Sequence, residues 1–436
     1  MRGFLASSIG VTCAAALALP LTLPAAAAPA PAPAAQPASG ARSASTTAEP
    51  ALPGSTESLP LAPRTRDRTL GAAPEQGLTR DDVHRFSLVG VTWSDPDTEL
   101  RGQVQVRTRA TGTGEWSGWQ DVDTHNEDHG ADPGTAERDS GHVHGSTAPL
   151  WVGDSDGVDV RVKADTAVTR TVQNRSPLPT GLHLELVDPG AEPPPAGARP
   201  TTNRAATPLA ATELPALSKQ ATERELVALR GKAQPYIGPR PRIVTRHGWG
   251  ADEKLREKGF VYTKKVKAAF VHHTATGNNY RCSQAPSVIR GIYRYHVESS
   301  GWRDIGYNFL VDKCGTIYEG RAGGVTKAVM GAHTLGFNTN SMGIAVLGTF
   351  GSAKPSAAAV TAIARLTAWK LGLYGVNPRG KTYLKSGGGN LYRKGKNVRL
   401  NVISGHRDGF ATECPGRQLY GKLGSARSTS ARFQGR

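Results

Sequence analysis

The sequence predicts an α/β protein in two folded units: a C-terminal domain with a mixed central β-sheet flanked by helices, preceded by a separate N-terminal β-sandwich-like domain. Two patterns and one number predict this. Between Val83 and Pro189, short alternating runs (FSLVGVTW, GQVQVRTRA, GVDVRVKA and LHLELVDPG) are punctuated by Gly, Asp and Pro, as in a small antiparallel sandwich. Beyond residue 240, strand-like and helix-like runs interleave, the mark of a layered α/β domain. The length, 436 residues, exceeds that of one ordinary domain.

The chain opens with Arg2, an apolar segment from Ile9 to Leu23 and an A-x-A pattern at Ala25 and Ala27. Residues 1–27 therefore read as a secretory signal, and Cys13 lacks the preceding small-residue pattern of a lipid-anchored leader. No later stretch has the apolar length that a membrane span needs, so a secreted, cell-wall-associated chain is expected. Residues 28–75 are rich in Pro, Ala, Ser and Thr and read as a disordered tether.

Residues 76–190 form the β-rich unit, with Trp93, Trp116, Trp119 and Trp151 in or beside its strands and assigned mainly to its core. His125, His129, His142 and His144 lie in the acidic stretch DTHNEDHGADPGTAERDSGHVHG; with irregular spacing and no Cys, this reads as a solvated loop. Residues 191–239 read as a second linker with one short helix around ATERELVALRGK, residues 240–424 as the chemical domain, and residues 425–436 as a disordered tail.

In the chemical domain, KAAFVHHT reads as a buried strand. APSVIRGIYRYHVESS sets Val288, Ile289, Ile292 and His296 on one helical face. IGYNFLVDKCGTIYEGR reads as two strands around a tight turn, SMGIAVLGTF as another strand, and the run from Pro355 to Leu371 as a helix.

Lys and Arg number 53 against 36 Asp and Glu, a net charge of +17 that favours an anionic partner. Outside the cytosol, cell-wall polymers fit that description better than nucleic acid does; solubility alone also accounts for the charge. Of the four cysteines, Cys13 leaves with the signal, so among Cys282, Cys314 and Cys414 two are expected to pair and one to have another role.

The chemistry concentrates in two places. FVHHTAT ends a strand on two histidines, and SGHRDGFATECPGRQLY holds His406 and Cys414 eight positions apart in a Gly- and Pro-bounded loop. Imidazole and thiolate suit zinc, and a third ligand from FVHHTAT would leave one tetrahedral position open for water, as in catalytic sites.

FVHHTAT, GWRDIGYNFLVDKCGTIYEGR, GAHTLGFNTNSMGIAVLG and SGHRDGFATECPG, in this order, resemble the peptidoglycan recognition protein and type 2 N-acetylmuramoyl-L-alanine amidase family over about residues 240 to 424. The resemblance implies Zn2+ held by His272, His406 and Cys414, with His273 in the substrate groove. It implies Tyr307 and Thr412 as catalytic-site residues; Thr412 stands where the phage branch carries a lysine, and Glu413 is the adjacent carboxylate. Gly301 and Trp302 ahead of Asp304, with Arg321, resemble the family's mark for diaminopimelate-type stems, where a planar guanidinium suits the extra carboxylate. His296, His333 and Asn338 match further groove positions.

The implied partner is the peptidoglycan stem peptide with its muramic acid, and the implied reaction is hydrolysis of the bond between N-acetylmuramic acid and L-alanine. The family also holds receptors without a complete zinc set, so the alternative is a non-hydrolytic peptidoglycan-binding or sensing protein. Here the set is complete, with Cys414 where non-catalytic relatives often carry Ser. With Cys414 assigned to zinc by the resemblance, Cys282 and Cys314 are expected to form a disulfide.

Overall fold

The structure is a computed structural model and describes residues 53–64, 74–165, 178–191, 211–231 and 234–436. The expected signal and most of the tether lie outside the described residues. Among the described residues, the C-terminal domain carries a seven-stranded sheet in the order Glu213–Leu214, Ile243–Val244, Ile317–Glu319, Phe309–Val311, Ser341–Val346, Ala268–His273 and Ile403–Gly405. Ala268–His273 runs parallel to both of its neighbours, whereas Phe309–Val311 and Ile317–Glu319 pair antiparallel, so the sheet is mixed.

The strand Ala268–His273 is buried along its whole length, which is why it reads as an unbroken apolar run until the histidines. On one face of the sheet, Ala269, Val271, Ile344 and Val346 pack with Ile363, Leu366 and Trp369 of the helix Ala357–Gly372. Ser356 caps that helix by accepting from the Ala359 amide. On the other face, Leu310 and Ala345 pack with Val288, Ile289 and Ile292 of the helix Ala285–Arg294. That helix passes into one π turn, Tyr295–Ser299, a backbone irregularity that recurs at functional sites and here carries His296.

Three boundaries differ from the sequence reading. The expected tail is a helix, Leu423–Gln434, whose Ala426 and Ala431 are buried; small residues let it pack closely, and tertiary contact overrides its polar composition. The expected second linker carries the short helix read there, Lys219–Arg230, but it is no mere linker: the helix buries Leu226 in the main core and the strand Glu213–Leu214 joins the sheet. The tether gives way to structure by Ser55–Pro60, a strand paired antiparallel with His183–Asp188.

The N-terminal domain is built from nine strands among the described residues. The long strand Leu150–Ala164 pairs with Phe86–Trp93 through its first half and with Glu75–Arg80 and Gly102–Ala110 through its second. The sheet thereby closes over one core that includes Val89, Val91, Val104, Val160 and Leu184. Trp93 and Trp151 are buried as expected, but Trp116 is exposed and, with Trp119, lies under Arg107; these two rings hold surface guanidinium groups instead of filling the core.

Pro50–Arg436 forms one compact unit, so the two domains are in contact and not merely strung together. All eight residues of Phe86–Trp93 are buried, because its second face lies against the C-terminal domain. Leu88, Trp151 and Val187 share a core with Val288, Ile289 and Tyr295. The Tyr295 hydroxyl donates to the Thr147 carbonyl at 3.1 Å, and a Cβ on Gly90 would collide with the Tyr295 ring.

Candidate functional site

Parallel pairing of Ala268–His273 with Ile403–Gly405 carries His272 and His406 to the same sheet end. The turn that begins at His406 is set by Asp408, which accepts from the Gly405 amide at 2.9 Å and from the Tyr420 hydroxyl at 2.7 Å. Cys414 returns beneath it: its carbonyl accepts from the Arg407 amide at 3.0 Å, and its own amide donates to the Thr412 hydroxyl at 3.1 Å. The Nδ1 atoms of His272 and His406 lie 3.1 Å apart, and the Cys414 Sγ is 3.7 Å from His272 Nδ1.

Tetrahedral zinc with ordinary bond lengths sets two nitrogens about 3.3 Å apart, and a sulfur and a nitrogen about 3.6 Å apart. The observed spacing fits. The second nitrogen of each ring is also held by oxygen: His272 Nε2 lies 3.4 Å from the Thr334 hydroxyl, and His406 Nε2 lies 3.2 Å from the Asp128 carbonyl. Outer partners of this kind fix the orientation of metal-ligating histidines.

A fourth donor comes from the N-terminal domain. His129, read from sequence as part of a solvated loop, is buried, and His129, His272, His406 and Cys414 each bring one ligand atom within 4.8 Å of all the others. Its Nδ1 is bound to Asp128 Oδ1 at 2.6 Å, while its Nε2 is buried without a hydrogen-bond partner. A fourth candidate donor thus stands beside the three expected ones. His125, His142 and His144 remain exposed, as expected for that loop. A clue was present in the sequence: a strongly acidic stretch with a paired Asp128 and His129, inside a basic chain.

Burial governs the titration of this cluster. It holds His272 well below the usual histidine range and His406 down to about 3, so both rings are neutral and their lone pairs available. It also pushes the Cys414 thiol well up, with the Asp128 charge adding to the effect. Burial would raise the Asp128 carboxyl as well, but His129 and His406 beside it hold it below its ordinary value. Two neutral imidazoles, the His129 ring with its unpartnered Nε2 and the buried Cys414 thiol form a nitrogen and sulfur donor set of the kind zinc takes.

Around the cluster lie most of the remaining candidates. The Tyr307 ring centroid is 5.5 Å from that of His272 and 5.8 Å from that of His296. His296 stacks on Trp302, with centroids 4.4 Å apart. Gly301 has φ 71°, and a Cβ there would meet the His142 carbonyl at 1.8 Å, so only glycine fits. His273 is buried, with its Nδ1 3.4 Å from the Phe350 amide. Asn338 accepts from the His333 amide at 2.7 Å and donates to the Gly130 carbonyl at 2.8 Å. His333 lies with its ring centroid 5.3 Å from that of His272.

Arg321 is not a free fork. Its guanidinium donates to both oxygens of Glu137, at 2.9 and 2.8 Å, and to the Ile305 carbonyl at 2.9 Å. Glu137, too, was unforeseen. Cys282 and Cys314 form a disulfide with a Cα–Cα distance of 6.2 Å; it ties the start of the helix at Ala285 to the turn between Phe309–Val311 and Ile317–Glu319. Among the described residues, no helix is long and apolar enough to cross a membrane.

Residues 262–417 match the family model described as N-acetylmuramoyl-L-alanine amidase, and residues 35–182 match the one described as Rv3811 N-terminal galactose-binding domain-like. Peptidoglycan-recognition protein SC2 of Drosophila simulans is 30% identical over 200 residues, 45% of this chain and 92% of that protein. Peptidoglycan-recognition protein SC1a of Drosophila melanogaster is 33% identical over 192 residues, 43% of this chain and 87% of that protein. A solved structure of peptidoglycan recognition protein LE in complex with tracheal cytotoxin, a monomeric diaminopimelic acid-type peptidoglycan, is 33% identical, with a TM-score of 0.32, and covers 42% of this chain and 92% of that one.

Proposed function

The chain belongs to the family of peptidoglycan recognition proteins and type 2 N-acetylmuramoyl-L-alanine amidases, and from that premise we propose that it is an exported zinc amidase acting on diaminopimelate-type peptidoglycan. Membership by itself supports peptidoglycan binding or amidase activity. The observation that carries the hydrolytic reading is the buried, correctly spaced set of His272, His406 and Cys414 with Tyr307 beside it.

A zinc ion held by these residues supplies Lewis acidity to an amide carbonyl and to water. The protein's own groups do the rest. Burial first, then the nearby Cys414 and Asp128, push the Tyr307 hydroxyl well above its ordinary value, so it stays protonated and can donate to the oxyanion that develops on the carbonyl. The Phe350 amide facing His273 Nδ1 leaves that ring's proton on Nε2, and burial holds the group down to about 4. His273 is therefore a neutral donor beside Tyr307 and Cys414. Thr412 accepts from the Cys414 amide and so positions the loop carrying the thiol. Arg321 would give bidentate binding to the extra carboxylate of a diaminopimelate stem once Glu137 leaves its guanidinium.

The test incubates the purified zinc-loaded chain, and its Glu137→Gln form, with defined muropeptides and follows the appearance of new L-alanine amino termini. Hydrolysis abolished by chelator and restored by zinc is the expected result. Binding without release in both forms would make the chain a receptor and overturn the reading.

A further inference from the structure

We propose that the segment Asp128–Glu137 of the N-terminal domain is a resident pseudosubstrate that closes the metal centre through His129 and the stem-carboxylate site through Glu137. This rests on the amidase reading of the centre. Four protein donors describe a closed tetrahedral site, whereas a catalytic site keeps one position open. His129 is built to be that fourth donor. Its Nδ1 is committed to Asp128 at 2.6 Å, its Nε2 is buried with no hydrogen-bond partner, and its ring centroid lies 4.6 Å from that of His406 and 5.7 Å from that of Tyr307.

The rest of the segment lies in the groove as a bound peptide would. The Gly130 amide donates to the Ala332 carbonyl at 3.2 Å, and the Leu335 amide donates to the Asp128 carbonyl at 2.9 Å, so main chain pairs with main chain. Asp132 accepts from the Gly336 amide at 2.8 Å and from Asn338 at 2.6 Å. Glu137 puts a carboxylate on the fork of Arg321 and accepts from the Arg303 amide at 3.2 Å. A metal-directed group, a peptide backbone and a carboxylate thus occupy the three positions at which a stem peptide would present its scissile amide, its chain and its extra carboxylate.

Because the segment is tethered to a domain that shares a core with the helix Ala285–Arg294, it competes at the effective concentration of an intramolecular ligand. A soluble muropeptide must displace it, and the resting protein is therefore latent.

Three readouts independent of turnover test this on the full chain. With cobalt in place of zinc, His129→Ala should shift the visible absorption bands, as one nitrogen donor is exchanged for solvent. The same variant should weaken zinc binding by at least about 10- to 100-fold, the range already lost when only a ligand's supporting partner is removed. In calorimetry, Glu137→Gln should tighten binding of a diaminopimelate-containing muramyl tripeptide about 10- to 100-fold, because a charge-assisted hydrogen-bonded competitor has been weakened. A lysine-containing tripeptide should gain far less.

Circular dichroism establishes that each variant is folded; if Glu137→Gln is not, Asp132→Asn provides the same binding test. An unchanged cobalt spectrum and zinc affinity in His129→Ala overturn the fourth ligand. Unchanged tripeptide affinity in the folded groove variant overturns the pseudosubstrate. Absence of hydrolysis in every zinc-loaded form would instead remove the amidase reading, while the spectral and binding results still judge the closure.

Discussion

Arg321 and Glu137, 184 positions apart in the sequence and in different domains, face each other through two hydrogen bonds of 2.9 and 2.8 Å and are 5% and 3% exposed. The guanidinium expected to recognise a substrate carboxylate already holds one.

Breaking this pair from one side leaves a charge buried alone. Arg321→Ala should therefore destabilise the chain by about 3 to 5 kcal/mol, and the double change Arg321→Met with Glu137→Leu by much less. Urea unfolding of the two variants beside the parent chain checks it; equal losses would show that the pair is not coupled.

The same pair sets an acid response. Burial raises the Glu137 carboxyl, but Arg321, with Arg303 nearby, outweighs this and holds it below its ordinary 4.5. Its contribution is complete above pH 4.5 and is lost as pH falls through the depressed folded value; stability should drop in that window. In Glu137→Gln the drop should be smaller. An identical acid profile in both forms would refute the assignment.

Cys414→Ser and His272→Ala should each lose stoichiometric zinc by elemental analysis, together with hydrolysis. Tyr307→Phe should keep its zinc and lose about 10²- to 10³-fold in kcat, the usual cost of one oxyanion donor. Full zinc content in the Cys414 variant would exclude the thiol as a ligand.

Reduction of Cys282–Cys314, which closes a separation of 32 positions, should cost about 3 to 4 kcal/mol by the loop-entropy relation. The effect should appear as a lower Tm at unchanged zinc content, since neither sulfur belongs to the cluster. A Tm that does not move on reduction would count against it.

A fragment beginning at residue 240 should be less stable than one beginning at 211. The shorter fragment loses the burial of Leu226, about 2 kcal/mol, and the hydrogen bonds from the Arg240 amide to Thr222 and from Lys219 to the Gln434 carbonyl. Coincident thermal melts would show the helix Lys219–Arg230 to be dispensable.

Read alone, the sequence determined whatever depends on local pattern and side-chain chemistry. The apolar run into His272 and His273 marks a central strand, the alternating runs mark the β-domain strands, and the loop holding His406 and Cys414 marks a donor set; each is written within a short window by periodicity or residue type. The helix Leu423–Gln434 was not legible, because its polar composition becomes helical through Ala426 and Ala431 packing on the domain. Nor was the placement of His129 and Glu137. Their positions follow from how Phe86–Trp93 docks on the helix Ala285–Arg294 and the Tyr295 that follows it, a surface match between distant segments that leaves no period in either one. Only the assembled structure could decide that an acidic loop, suited by composition to solvent, is held instead against buried imidazoles and a guanidinium, where its carboxylates find the partners that compensate their loss of water.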